Sequence, residues 1–111
     1  MNAFYVNLPP SAAANMIHQY VSSNGASTTC VGSYNRMSPE GRETILLVFE
    51  KYFMRTSSRA SLSVIIENLS GTTAVYSIGS GGGTGALFSF DWGAGDSFAN
   101  LVTEALRGYI M

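Results

Sequence analysis

Two strand patterns joined by a very short connection occupy the middle of this chain, and they restrict its fold more than any other feature. From Arg59 to Leu69 the even positions 60 to 66 are apolar and the odd positions mostly polar, which is typical of a half-buried strand. The preceding pattern, Glu43 to Met54, is apolar on both faces in its first half, which predicts a central strand. Because only residues 55–58, with the tight connection Thr56-Ser57-Ser58, separate the two patterns, we expect them to form antiparallel neighbours.

Further strand patterns lie on both sides of this pair, at residues 4–8, 28–35, 72–79 and 86–92. Turns are predicted at 37–41 and 70–71, and a glycine-rich hairpin loop at 80–84. Pro10 and Ser11 suit the start of a helix that ends at Asn24-Gly25. A second helix is predicted near the C-terminus from a continuous apolar stripe: Phe98, Leu101, Val102, Ala105, Leu106 and Tyr109.

The order of these elements predicts the fold class. Strand, helix, five strands and helix, with short turns between successive strands, indicate an α+β domain built on an antiparallel meander of five to six strands. We expect the N-terminal helix and a long C-terminal helix packed on one face of the sheet, as in helix-grip folds. At 111 residues the chain is predicted to form a single domain, 1–111, because two halves would be too small for good cores.

The charge content argues against several classes of partner. Six basic and seven acidic residues give a net charge of −1, unlike the basic footprint of a nucleic-acid binder or a polybasic membrane patch. Charged residues make up 12%, about half the roughly 25% usual in soluble domains. A surface with so few charges has little protection against self-association, so a homo-oligomer is expected.

The expected location is the cytoplasm. No apolar run is long enough to span a bilayer, and the first residues lack the positive region of a secretory signal. Cys30 is the only cysteine, which excludes an internal disulfide. We interpret it as a small buried side chain and His18 as a solvated surface residue, and we expect no metal site and no cofactor.

The glycine-rich segment invites comparison with nucleotide-binding motifs. Residues 81–86 match G-x-G-x-x-A, but that motif needs a helix after it, and here a strand pattern follows. A hairpin loop is the better interpretation. The loop residues Gly81, Gly82 and Gly83 are predicted to lie at the same end of the sheet as Arg55 and Arg59, where guanidinium groups and free backbone N–H groups could bind an anion. The alternative is that this rim is simply solvated.

A resemblance to a known family rests on five runs of sequence. They lie at residues 48–55, 59–62, 67–71, 79–83 and 90–94. These runs resemble a family of small uncharacterised bacterial proteins of about this length, known as a domain of unknown function. The resemblance covers nearly the whole chain and implies a stand-alone bacterial cytoplasmic protein. It implies no activity, ligand or catalytic residue.

Three functions from different classes are open at this point. The first is a non-enzymatic domain that binds a small apolar or anionic ligand in an apolar cavity between the sheet and the C-terminal helix, beside Phe88 and Trp92. The alternative is a homo-oligomeric structural or interaction module joined through a weakly charged sheet face or edge. An enzyme ranks last, because the sequence contains no recognisable catalytic constellation.

Overall fold

The computed structural model describes residues 2–24, 27–54, 57–81 and 98–111. Within these ranges the chain forms five strands and two helices. In chain order they are β1 (Asn2–Val6), α1 (Pro10–Ser22), β2 (Thr28–Met37), β3 (Glu43–Phe53), β4 (Ser58–Glu67), β5 (Thr73–Gly81) and α2, whose described part covers residues 98–105. The α+β class and the antiparallel sheet are therefore confirmed.

The five strands form one sheet in the order β1-β5-β4-β3-β2, with every neighbouring pair antiparallel. Strands β2 to β5 form the part of the predicted meander that lies within the described residues. The N-terminal strand β1 adds to the outside of β5, so α1 carries the chain from one edge of the sheet to the other. The expectation that β3 is central is confirmed, since it pairs with β2 on one side and with β4, the middle strand of the described sheet, on the other.

The core lies between the two helices and one face of the sheet, here called the inner face. On this face Ile45 pairs with Ile66 and Leu47 with Val64, so the apolar alternation of β3 and β4 points into the core. Helix α1 begins with Pro10 at its first turn, where a missing N–H costs nothing. The buried residues of the helices and of the turn after α2 that complete the core are Ala13, Ala14, Ile17, Val21, Phe98, Ala99, Val102 and Leu106.

The predicted long C-terminal helix requires correction, because α2 ends at residue 105. The next turn is tighter than an α-helix: the N–H of Arg107 donates to the carbonyl oxygen of Glu104, and the N–H of Tyr109 donates to the carbonyl oxygen of Leu106. Gly108 then adopts a φ of +99°, a left-handed conformation that ends helices and favours glycine. Tyr109, the last member of the apolar stripe, is consequently exposed.

Strand β5 is longer than its sequence pattern predicts. Ser80 and Gly81 pair with Ser61 and Ala60 of β4, so they extend the strand instead of opening a loop. The predicted strand at 86–92, with Phe88, Asp91 and Trp92, lies outside the described residues.

Candidate functional site

The two edges of the sheet are treated differently by the rest of the chain. On the β1 side, the C-terminal residues lie along the strand: the N–H of Asn7 donates to the carbonyl oxygen of Tyr109 at 2.8 Å. The N–H of Met111 likewise donates to the carbonyl oxygen of Tyr5 at 3.0 Å, and Val6 forms a β-bridge with Ile110. This short edge is therefore covered by the protein's own backbone.

The β2 edge is longer and open in the part of the chain that the structure describes. The strand has ten residues and pairs there with β3 alone. From Val31 to Met37 every residue is exposed, so both faces of the strand as well as its edge reach solvent. A long exposed edge strand presents unpaired backbone groups with which another chain can pair. Most proteins carry features that block such pairing.

The hairpin after β2 fixes which of its backbone groups point outward. Ser38 donates its N–H to the carbonyl oxygen of Arg42, so residue 38 is directed toward β3. In an antiparallel pair this direction alternates along the strand. Ser33, Asn35 and Met37 therefore direct their N–H and C=O groups away from β3, toward the open edge.

Strand β2 carries few of the features that block unwanted pairing. Such features are proline, lysine, inward-pointing charges and bulges. Thr28–Met37 contains one charged residue, Arg36, and neither proline nor lysine. A bulge at Val31 shifts the register between Cys30 and Gly32, so the regular part of the edge is residues 32–37.

A groove of about 280 Å³ runs beside this edge, between α1 and the inner faces of β2 and β3. Its floor is aliphatic and buried, and its walls carry exposed polar side chains. The floor is formed by Ala14, Ile45 and Leu47, and the polar walls by Ser11, Asn15, His18, Ser33 and Asn35. The arrangement offers hydrogen bonds around an apolar base.

One wall of the groove is held in place by a buried carboxylate. Asn35 donates from Nδ2 to Oε2 of Glu43 at 2.8 Å, and Glu43 is largely buried. The backbone N–H of Glu43 in turn donates to Oδ1 of Asn68 at 2.7 Å. Across the groove, the His18 ring packs against Phe49 with their centroids 5.9 Å apart. His18 is exposed, as predicted, although its ring also contacts the core.

Of the predicted anion site, Arg59 and Gly81 are described, whereas Arg55, Gly82 and Gly83 lie outside the described residues. Ala60 pairs with Gly81, which places Arg59 and the end of β5 at one end of the sheet. The guanidinium of Arg59 lies 3.5 Å from Oε1 of Glu50 and stacks over Tyr52. Its charge is thus partly compensated, and anion binding stays a prediction.

Cys30 is half-buried and packs against the core, close to the small buried role expected of it. Within the described ranges, no three His, Cys, Asp or Glu side chains are close enough together to hold a metal ion. None of the described helices is long and apolar enough to cross a bilayer.

Sequence reasoning missed the open edge, although one signal pointed to it. Any open meander has two edges, and the N-terminal strand pattern can cover only one of them. The length of the 28–35 pattern and its lack of charge and of proline were visible in the sequence. Which edge the N-terminal strand occupies was not.

The fold and the site define a small α+β domain in which, among residues 2–24, 27–54, 57–81 and 98–111, one sheet edge is covered and the other is open. The chain belongs to a family of unknown function, DUF6054, whose model matches residues 2–110. This confirms the resemblance noted in the sequence, and it leaves bacterial origin a prediction. No curated protein and no solved structure is detectably similar to the chain.

Proposed function

We propose that this protein is a non-enzymatic interaction module that binds an extended segment of a partner chain along the edge of β2. The observation that carries the proposal is the contrast between the two edges. The C-terminal residues cover β1, whereas β2 presents the outward backbone groups of Ser33, Asn35 and Met37 to solvent. An added strand satisfies these groups, which is the mode of several peptide-binding domains.

The groove beside β2 supplies selectivity. Alternate side chains of an added strand point to the inner face, next to Ser33 and Asn35 and toward the wall formed by α1. Because Ser33 and Asn35 present uncharged hydrogen-bonding groups, we expect small polar or aliphatic side chains at these positions and not charged ones. Backbone pairing then provides affinity, and the groove provides specificity.

A small-ligand-binding domain is the second candidate function, and the same groove favours it. Its volume of about 280 Å³ lies near the lower end of the roughly 300–1,000 Å³ of small-molecule sites. The ligand best matched to its walls is a small neutral molecule with one apolar face. The cavity predicted between the sheet and the C-terminal helix depends on Phe88 and Trp92, which lie outside the described residues.

We also propose a cytoplasmic location, which the free thiol of Cys30 supports, since unpaired cysteines persist in reducing compartments.

The proposed function is tested by photo-crosslinking in the cell of origin. A benzophenone amino acid in place of Tyr34 reports on the β2 edge, and the same group in place of Tyr5 reports on β1. The two tyrosines are matched controls, with 54% and 51% of their surface exposed and both on the outer face of an edge strand. We expect irradiation to give a discrete adduct at position 34 and none at position 5. Equal labelling at both positions, or none at 34, would contradict an interaction edge at β2.

A further inference from the structure

We propose that the strand bound at the open edge is β2 of a second copy, so that two subunits form one continuous sheet around a two-fold axis at Asn35. This inference rests on the proposed function and names its partner.

The register follows from the direction of the backbone groups. Two copies related by a two-fold axis pair β2 with β2 in antiparallel orientation, as isologous interfaces require. Directly opposite residues must point to the same face of the sheet, and side-chain direction alternates along the strand. The two-fold axis therefore passes through one residue position of β2 and not between two adjacent positions. With the axis at Asn35, Asn35 faces the partner's Asn35, and Ser33 faces the partner's Met37. All outward donors and acceptors of these three residues are then paired.

Neighbouring registers use fewer of these groups. With the axis at Tyr34, Ser33 and Asn35 pair with each other, and the outward groups of Met37 are left without a strand partner. With the axis at Ser33, Met37 would face the partner's Thr29, beyond the bulge at Val31 where the strand is irregular. The axis at Asn35 therefore makes the fullest use of the regular segment.

The side chains on the outer face agree with this register. Arg36 lies opposite the partner's Tyr34, where its guanidinium can contact the tyrosine ring. Within one chain Arg36 already donates from Nη1 to the hydroxyl of Tyr34 at 3.3 Å, so the two side chains lie side by side. Arg36 is the only charged residue of β2, and the axis does not place it opposite its own copy. No like charges face each other directly across the joint.

The low charge of the whole chain also favours dimerisation, because a surface with 12% charged residues repels a second copy less than the surface of an average soluble domain. The contact is an edge and its area is modest, so we expect reversible dimerisation in the micromolar range.

Disulfide trapping tests both the partner and the register. In a Cys30→Ser background, which removes the only native cysteine, cysteine is introduced singly at Tyr34, Asn35 or Arg36. Directly opposite residues in a hydrogen-bonded antiparallel pair have Cα atoms about 5.5 Å apart, within the range that disulfides bridge. Positions 34 and 36 are each offset from their own copies by two residues and serve as matched controls. Each variant is compared with the Cys30→Ser protein by thermal unfolding before use.

We expect mild oxidation to cross-link Asn35→Cys at least tenfold faster than the two control variants, and sedimentation of the wild-type protein to show a concentration-dependent dimer. Faster cross-linking at 34 or 36 would overturn the register. A dimer without cross-linking at any of the three positions would overturn the β2 edge as the interface. A monomer throughout the micromolar range would overturn self-pairing. In that case a photo-crosslinked adduct between position 34 and a different protein would still support the proposed function. If no such adduct formed, both the proposed function and the self-pairing would be refuted.

Discussion

The inner face of β5 carries a hydroxyl group that forms no hydrogen bond within the described part of the chain. Ser77 is fully buried, opposite Val64 of β4 and Asn2 of β1, and its Oγ has no partner there. Burying a hydroxyl without a hydrogen bond costs about 1–3 kcal/mol in proteins. The substitution Ser77→Ala removes the oxygen and keeps Cβ, so we expect it to raise the free energy of unfolding.

The expected gain can be worked out from two terms. The first is recovery of the desolvation cost. The second is the loss of packing where the oxygen stood: a void of about 10 Å³ at roughly 24 cal/mol per Å³ costs about 0.2 kcal/mol. The net gain is about 0.8–2.8 kcal/mol, and at roughly 4–8 °C per kcal/mol for a domain of this size Tm should rise by at least about 3 °C.

Urea unfolding followed by far-ultraviolet circular dichroism measures the change directly. Ser63→Ala is the matched control, because Ser63 lies on the outer face of β4 and is only half-buried. We expect the control to change stability by less than about 0.5 kcal/mol. If Ser77→Ala is no more stable than the wild type, the hydroxyl is hydrogen-bonded in solution, for example to a buried water, and the reasoning fails.

Three further predictions concern the helices and the Arg59 end of the sheet. Leu106→Ala should lower the free energy of unfolding by about 2–5 kcal/mol in urea titrations, because the side chain is fully buried; a loss below about 1 kcal/mol would contradict this. The hydroxyl of Tyr20 donates to the Glu104 carboxylate at 2.8 Å, which raises the pKa of Tyr20 above its ordinary 10.0. The contact should therefore stabilise the fold fully below pH 10 and be lost as the pH rises through the raised pKa; NMR titration of the Tyr20 ring should show the shift, and Glu104→Ala should abolish it. Phosphate should shift the amide resonance of Gly81 saturably in the wild type and not in Arg59→Ala, and an unresponsive wild type would refute the anion site.

Local patterns were sufficient to predict most of the described elements. The period of two in β4 predicted both the strand and its buried residues, Ala60, Leu62, Val64 and Ile66, because side-chain direction alternates along any strand. Pro10 located the start of α1, because proline fits only the first turn of a helix. Such signals depend on neighbouring residues and need no knowledge of the fold.

The predicted end of α2 was wrong by about one turn, and the sequence contains the reason. The apolar stripe continues to Tyr109, which predicts a longer helix, but Gly108 interrupts it. Glycine is common just after helices, so its position was a signal in the opposite direction. The prediction followed the apolar stripe, because periodicity does not reveal that the residues after the helix pair with another element. In this case Ile110 forms a bridge with Val6 of β1.

The sequence by itself determined the class of fold, the meander of β2 to β5 and the faces that their side chains occupy, since all of these follow from periodicity and short turns. Only the tertiary structure decided that β1 joins β5, that α1 crosses the inner face and that residues 109–111 cover the β1 edge. These are pairings between distant parts of the chain, and backbone hydrogen-bonding groups are the same in every residue, so no local pattern specifies which strands will meet. The open β2 edge, on which the proposed function rests, is a consequence of that choice of partners.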